Sequence, residues 1–506
     1  MHDPAGLPLE IFLIILHYVA GGNPDKLDYY DQFPSNLCLI NRRWHAVAVP
    51  QLYSRVENHG EPWLKRSLWR FLRTVISNAE LAALVRTVDF PQKYTYQGKD
   101  KDRFKEAERL YSENREIVQK AISQAGLEGS SSSLESEIHE GLQRDDQRPL
   151  IALILAHLPN LTTLQIHVQK SDPFLEAILF RAVGLSPDAQ LDIGTGTVPT
   201  SRALQNLERA FLATWGHPIK HPDHIERIRA GYPLRIDQNR PFLYLPMLQE
   251  LCLLDAELKD DLTHWIGSKK HTISSRLSQL TVVLDAAATA SSLTNLWTLL
   301  KQHTTNLTSL SLNLPDPKQT SLVTIHRDLW SALEPLQATL EYLDIYQESS
   351  PSNSRAHSEE LDFCCPLRKF TKLRTLSITP LLLRGNCSRH KAPLQLINHL
   401  PLDLNSLAIY NSDKDCGSVI EELEMQLETI PRHKYTRLTF IVVEVPVPWM
   451  GNRNKTLLPY RRMERWAKAK GITFKTSRDA LLAYGGKDSW FGLWAHTVPQ
   501  EARFAS

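Results

Sequence analysis

The sequence predicts an α/β protein in which a small N-terminal helical module precedes a solenoid of strand–helix repeats. Three observations predict this fold. A leucine pattern recurs at a nearly constant period in the C-terminal half, and helical apolar stripes fill the intervals between its copies. The first fifty or so residues carry short, strongly apolar segments, and a module of that size buries little surface by itself. At 506 residues the chain is also long for one compact core, which favours two domains or an elongated repeat structure.

The repeats follow the pattern L-x-x-L-x-L, whose final alternation is typical of a β-strand. Clear copies begin at residues 248, 277, 307, 340, 373 and 404, and a weaker one at 435, so successive copies lie 29 to 33 residues apart. We interpret the weak copy as Tyr435, Leu438 and Phe440. The central leucines of the six clear copies are predicted to be equivalent and to point into the core: Leu251, Leu280, Leu310, Leu343, Leu376 and Leu407.

The intervals between the copies show apolar residues at helical spacing. One stripe runs through residues 293–300, a second through 322–336 and a third through 420–430. Strand, loop and helix repeating about every thirty residues are typical of a leucine-rich-repeat-like solenoid. Such a solenoid has one curved parallel sheet with its helices outside, and stacking of the units supplies the core.

Upstream of these repeats the pattern is less regular. Leu161, Leu164 and Ile166 match it well, and a loose match around Val88 precedes them. Residues 201–215 show a helical pattern and no clean strand. The charged and Gly/Ser-containing stretch 91–148 is predicted to be an insertion between the first two strands, partly disordered, with a solvated helix near 99–125.

The N-terminal residues predict three short elements. Leu7-Pro8-Leu9-Glu10 opens a helix, because proline is tolerated in the first helical turn. That helix is apolar nearly all round, so it must be covered on two sides. A second amphipathic helix over residues 35–49 is expected to end at Pro50, and a third element holds Leu52, Tyr53 and Val56.

This order of residues, together with Leu37-Cys38-Leu39-Ile40-Asn41-Arg42-Arg43-Trp44, resembles an F-box. The stretch from Ala20 to Asn36 is longer and more polar than the usual first loop. The resemblance implies a three-helix module that docks onto the Skp-family linker subunit of a cullin–RING ubiquitin ligase. It assigns nine residues to that contact or to the packing behind it: Leu7, Pro8, Ile11, Ile14, Leu37, Leu39, Trp44, Leu52 and Tyr53.

The whole chain resembles F-box proteins with divergent leucine-rich repeats of the fungal kind. The expected boundaries are an F-box over 1–60, a connecting helix and first repeat strand over 61–90, and the insertion over 91–148. The repeats follow over 149–449. A basic C-terminal cap and tail occupies 450–506, where residues 450–478 hold nine basic residues and one acidic residue, Glu464.

The residues that alternate with buried leucines are expected to face the concave surface of such a solenoid. The fourth clear copy places Glu341, Tyr342 and Asp344 there, and the fifth places Arg374 beside them. We predict that these four residues contact a target protein. A mixed polar face suits a protein better than a small apolar ligand, which prefers an apolar pocket.

Other classes of function are disfavoured by composition and motifs. With 58 basic and 56 acidic residues, the chain lacks the basic excess of a nucleic-acid binder. It has no apolar run long enough for a membrane span, and no basic stretch before its first apolar segment, so neither a membrane nor a secretory location is expected. Six cysteines without a C-x-x-C pair predict no metal site and favour a reducing compartment, the cytoplasm or the nucleus.

The sequence also lacks a Walker loop, H-E-x-x-H and G-x-S-x-G, so no enzyme activity and no cofactor are expected. The prediction is a substrate-recognition adaptor of an SCF-type ligase: the F-box binds the Skp-family linker and, through it, a cullin, and the repeats bind a target. The alternative is a leucine-rich-repeat interaction scaffold that acts outside a ubiquitin ligase.

Overall fold

The structure, a computed structural model, divides the chain into two compact units, which we describe separately. Unit 1 comprises Met1–Trp215 and Gln238–Leu248, and unit 2 comprises Gly216–Asp237 and Gln249–Ser506. The structure describes residues 38, 41–57, 64–90, 101–128, 132–168, 172–184, 203–213, 234–235, 240–258, 276–284, 288–304, 306–314, 322–347, 367–379, 382–383, 400–411, 439–444, 467–468 and 473–476.

The described part of unit 1 contains helices and four short strands. The helices are α1 (Arg42–Ser54), α2 (Leu64–Ser77), α3 (Ala79–Leu84), α4 (Lys101–Gln124), α5 (Ser132–Gln143), α6 (Arg148–Ala156) and α7 (Pro173–Ala182). The strands are β1 (Arg55–Glu57), β2 (Thr87–Phe90), β3 (Thr163–His167) and β4 (Arg209–Ala213). A 3-10 turn follows at Arg240–Tyr244.

The four strands of unit 1 pair in parallel in chain order. Val56 is opposite Val88, Val88 is opposite Leu164, and Leu164 is opposite Ala210. Val88, Leu164 and Ala210 are fully buried. The α/β prediction is therefore confirmed here, and the loose sequence match around Val88 is a strand in register with the better match at Leu164.

Strand β4 corrects the prediction that residues 201–215 are helical. Leu207, Ala210 and Leu212 are all fully buried, so the segment follows the repeat pattern with alanine in the central position. A turn in which Leu204 has a φ of 60° leads into it. Alanine occupies the central position that carries leucine in the six clear copies, so this strand does not match the leucine pattern.

The stretch between β2 and β3 is largely helical. Helix α4 buries Leu110, Val118 and Ile122, and packs against α2 and α5. An ion pair joins Arg66 to Glu106 at 2.8 Å on its exposed side. The helix predicted near 99–125 is confirmed, but one of its faces is packed, and residues 135–143, expected to be partly disordered, belong to α5. Residues 91–100 and 129–131 lie outside the described part.

Helix α1 differs from its predicted bounds at both ends. It begins at Arg42, where the Asn41 side chain accepts a hydrogen bond of 2.9 Å from the backbone N–H of Trp44. It continues through Pro50, which is exposed, to Ser54. Strand β1 follows at once, so Val56 belongs to the sheet, and β1 pairs with β2, the strand expected within residues 61–90.

The described part of unit 2 is dominated by parallel strands. They are β5 (Leu234–Arg235), β6 (Glu250–Glu257), β7 (Gln279–Leu284), β8 (Ser309–Leu314), β9 (Tyr342–Gln347), β10 (Thr375–Ile378), β11 (Ser406–Asn411), β12 (Thr439–Glu444) and β13 (Thr473–Thr476). Two α-helices, α8 (Ala290–His303) and α9 (Leu322–Leu333), and 3-10 turns at Glu334–Leu336 and Leu367–Lys369 connect them. Strand β5 pairs with β6, and β6 to β13 pair in chain order.

The leucine ladder predicted from the repeats is confirmed. Leu251 is opposite Leu280, and the same register continues from strand to strand up to Leu407. None of the six central leucines is more than 1% exposed. In the weak copy, however, Phe440 and not Leu438 is opposite Leu407, so the predicted register there was wrong by two residues.

The helical stripes of the first two intervals are confirmed as α8 and α9, which pack against each other. The third stripe, at 420–430, lies outside the described residues. Strand β13 extends the sheet into the predicted C-terminal cap, because Phe474 is opposite Phe440. Of the rest of 450–506, the structure describes only Ala467, which is buried, and Lys468, which is exposed.

Candidate functional site

A row of backbone carbonyls marks the start of successive strands. In unit 2 the carbonyl of Glu341 accepts hydrogen bonds from the N–H groups of Arg374 and Thr375, at 2.9 and 3.0 Å. The carbonyls at four equivalent positions accept two N–H groups each in the same way: Gln249, Ser278, Thr308 and Arg374. Arg86 and Thr162 in unit 1 repeat the arrangement. The backbone at each strand entry is thus held in place whatever its side chain.

We call the residues at these strand starts the strand-entry row. Their side chains differ from repeat to repeat, and in unit 2 they are polar. Gln249, Glu341, Arg374 and Asn405 are exposed, and their backbone positions are fixed by the carbonyl row. The structure therefore brings together two of the predicted target-binding residues, Glu341 and Arg374, on neighbouring repeats with opposite charges. A rigid backbone with exposed polar side chains suits contact with another protein.

The residues that face away from the leucine ladder behave differently. Ser311, Asp344 and Ser377 are opposite one another on β8, β9 and β10, and all three are buried. The Ser311 hydroxyl donates a hydrogen bond of 2.9 Å to the Asp344 carboxylate. A buried carboxylate requires such partners, because leaving it unpaired costs several kcal/mol or shifts its ionisation.

This burial corrects the expectation that the alternating strand residues form an open concave surface. Asp344 is only 2% exposed, and Tyr342 is half-buried. Parallel sheets are commonly covered on both faces, and the central strands of unit 2 follow that rule. Of the four predicted contacts, Glu341 and Arg374 are at the surface, whereas the Asp344 side chain is enclosed.

The end of β9 has a further polar arrangement. The backbone N–H of Gln347 donates to the Thr379 hydroxyl at 2.9 Å, where a regular parallel ladder would use a carbonyl. Gln347 is 1% exposed, and its side-chain amide has no hydrogen-bond partner within the described part of the chain. Strand β10 ends at this point, so the hydroxyl closes the ladder where the strand leaves it.

Three of the nine predicted linker contacts are described, and all three lie on α1. Trp44 is 7% exposed and shares its helix face with the fully buried Ala48, one turn later. Leu52 and Tyr53 are half-buried in the last turn. Helix α1 packs against α3, and the Trp44 side chain is buried in the structure. The other six residues, Leu7, Pro8, Ile11, Ile14, Leu37 and Leu39, lie outside the described residues.

Unit 1 holds a charged cluster that our sequence reasoning missed. The Arg148 guanidinium forms a bidentate pair with Asp146, with nitrogen–oxygen distances from 2.6 to 3.0 Å. It also lies over the Phe174 ring, 5.9 Å from the ring centroid. Asp172 caps α7 by accepting a hydrogen bond of 3.0 Å from Leu175 N–H. Asp followed by proline at the first helical position is a helix-start signal that could have revealed this cap.

Burial raises the pKa of the Asp172 carboxyl from 3.8 to about 6, while the Leu175 N–H and the Arg148 charge act against that rise. The folded chain therefore binds more protons than the unfolded chain between those two pH values. The stability that protonated Asp172 contributes is complete below its unfolded pKa, and is lost as the pH rises through about 6.

We therefore expect Asp172→Asn to flatten the pH dependence of stability. Asparagine retains the capping acceptor and removes the titrating group. The variant should be more stable than the wild type at neutral pH by about 1–2 kcal/mol, since one pKa unit corresponds to about 1.4 kcal/mol and the side chain keeps some contact with water. Urea unfolding between pH 4 and 7 measures this. Ser112→Ala, at an exposed position of α4, changes no titrating group; it is the control and should retain the wild-type slope. An unchanged slope in Asp172→Asn would contradict the assignment.

The described residues include no group of three His, Cys, Asp or Glu side chains that could hold a metal ion. None of the helices that the structure describes is long and apolar enough to cross a membrane. Compared with known protein families and with curated proteins, the chain matches none of them.

Proposed function

We propose that this protein is a non-catalytic adaptor of an SCF-type cullin–RING ubiquitin ligase. Its N-terminal module would bind the Skp-family linker subunit, and its repeats, which we propose to be of the leucine-rich kind, would hold a target protein. One observation carries the proposal: F-box-like residues stand in the expected order ahead of a repeat whose leucines form one in-register parallel ladder. An adaptor of this kind works in the cytoplasm, the nucleus or both.

The strand-entry row supports a role in binding. Its backbone pattern recurs from repeat to repeat, while its side chains change from Ser278 to Glu341 and Arg374. A repeated scaffold with variable exposed side chains is how solenoid proteins generate binding surfaces. An adaptor needs two partners, and in this proposal the N-terminal module would bind one of them and the strand-entry row the other.

Co-purification with the Skp-family linker tests the proposal. The full chain, tagged at its C-terminus, is co-expressed with the linker subunit and a cullin, and the eluate is analysed by size-exclusion chromatography. We expect a stable complex that contains all three proteins. Elution of the chain without the linker would favour the scaffold that acts outside a ubiquitin ligase.

Exchanging two exposed charges tests the target end. In the double variant Glu341→Lys/Arg374→Glu the net charge is unchanged, and both side chains are exposed, so folding should be retained. We expect the proteins captured in the presence of a proteasome inhibitor to be depleted severalfold, because each reversed charge then faces a like charge on the target and is repelled by it. Quantitative mass spectrometry measures the captured set, and linker binding serves as the internal control. An unchanged set would place target binding elsewhere.

A further inference from the structure

A cluster of exposed positive charges precedes β10 in unit 2. Arg368, Lys369, Lys372 and Arg374 are all exposed and lie within seven residues. Residues 367–379 contain no acidic residue, whereas basic and acidic residues are nearly balanced over the whole chain, at 58 and 56. We call these four residues the basic cluster. Its charge is a local departure from a nearly neutral protein.

Buried apolar side chains hold the basic cluster in place. Leu367, Phe370 and Leu373 alternate with the basic residues, and each is 0% exposed. The Phe370 ring meets the Trp330 ring edge-to-face, with centroids 6.5 Å apart. The intervening backbone is tied to the preceding repeat by the Thr371 N–H, which donates to the Gln337 carbonyl at 3.1 Å. The four charges therefore sit on an ordered segment.

The charges of the basic cluster are not paired with acidic side chains in the part of unit 2 that the structure describes. None of the four side chains forms an ion pair or a side-chain hydrogen bond with another described residue. Like charges so close together repel one another, and the repulsion is relieved when an opposite charge binds. Four exposed cations that no described residue neutralises thus favour an anionic partner.

Exposed acidic and apolar residues beside the cluster favour a protein over a nucleic acid or a membrane as the anionic partner. Glu341, on the preceding repeat, and Asp403, on the following one, are both exposed. Leu402 beside Asp403 is 58% exposed. A nucleic acid or an anionic membrane would bring its negative charges against these two carboxylates. A protein segment can place its acidic residues on the cluster and other residues against Leu402 and the carboxylates.

We propose that the basic cluster is the docking surface for an acidic, Asp/Glu-rich segment of a partner protein. This deepens the proposed function, and it rests on that function only in taking the repeat unit as the target-binding end. The attraction between exposed charges is individually weak and is screened by salt, so binding should be moderate in affinity and strongly salt-dependent.

Fluorescence anisotropy of the purified full chain with a fluorescein-labelled poly-Glu peptide tests the proposal, without any linker subunit. We expect binding that weakens with salt and falls at least about tenfold when all four residues of the cluster are replaced by glutamine. The matched control replaces four exposed basic residues outside the cluster by glutamine: Arg70, Lys120, Arg209 and Lys301. That control should bind poly-Glu as the wild type does.

Several results would overturn the proposal. They are equal weakening in both quadruple variants, equal binding of a poly-Gln peptide, and tighter cluster-dependent binding of duplex DNA or phosphatidylserine vesicles. Thermal unfolding by circular dichroism verifies that both variants are folded. The assay is independent of linker co-purification. A chain that binds poly-Glu but not the linker would reject the adaptor role alone. A chain that binds the linker but not poly-Glu would reject the docking surface alone.

Discussion

Leu343→Ala is expected to destabilise unit 2 by about 2–5 kcal/mol, because it removes a fully buried side chain and leaves a cavity. Leu343 lies between Leu310 and Leu376 in the ladder, so packed leucines on both sides limit how far the site can collapse. The midpoint of urea unfolding, followed by circular dichroism, measures the loss. Since single domains are stable by only about 5–15 kcal/mol, the variant should unfold at a clearly lower denaturant concentration.

A leucine outside the core provides the matched control. Leu402 is 58% exposed, and Leu402→Ala removes the same atoms without opening a cavity. It should change the stability by less than about 0.5 kcal/mol. Equal effects of the two substitutions would contradict the position of Leu343 in the core and, with it, the equivalence of the ladder positions.

Replacing Leu7-Pro8 with Ala-Ala is expected to abolish co-purification with the Skp-family linker. The two residues open the predicted first helix, which is apolar nearly all round and so needs a partner surface. A few buried apolar side chains commonly supply most of the binding energy of an interface, and truncating one of these costs 2 kcal/mol or more, at least about thirtyfold in affinity. Pull-down of the tagged chain from cells that co-express the linker measures the loss.

The matched control for this variant is Phe104→Ala, because Phe104 is an exposed apolar residue on α4, outside the F-box-like residues. It should bind the linker as the wild type does. The Leu7-Pro8 variant should also retain the urea unfolding transition of unit 2, which shows that the loss is local. Linker binding that survives the double replacement would count against the F-box assignment.

Positions that depend on the repeat were predictable from the sequence. Each copy alone cannot bury its leucines, so its strand must stack beside the next one, and the spacing of the leucines then sets which residues are opposite. For that reason the register from Leu251 to Leu407 followed from the pattern. Where the pattern weakens, the prediction was wrong. At Phe440 the predicted register was off by two residues, and the strand β4 around Ala210 was not predicted.

Helix ends and charged clusters were only partly predictable. Pro50 signals a helix end locally, yet α1 continues through it to Ser54, because packing of the helix can outweigh one lost backbone hydrogen bond. The Arg148 pair with Asp146 is close in the chain, but its position over Phe174 depends on how α6 and α7 pack. Contacts between helices are set by three-dimensional packing, which no local pattern specifies.

The face of each strand that carries the leucines follows from the amino-acid pattern, because alternation assigns every second residue to one face. Whether the opposite face meets solvent depends on the three-dimensional fold. Asp344 and Ser377 face away from the leucine ladder and are nonetheless buried, whereas Glu341 and Arg374, at the strand entries, are exposed. Alternation fixes direction, but exposure depends on whether anything covers that face, and this is a property of the folded chain as a whole.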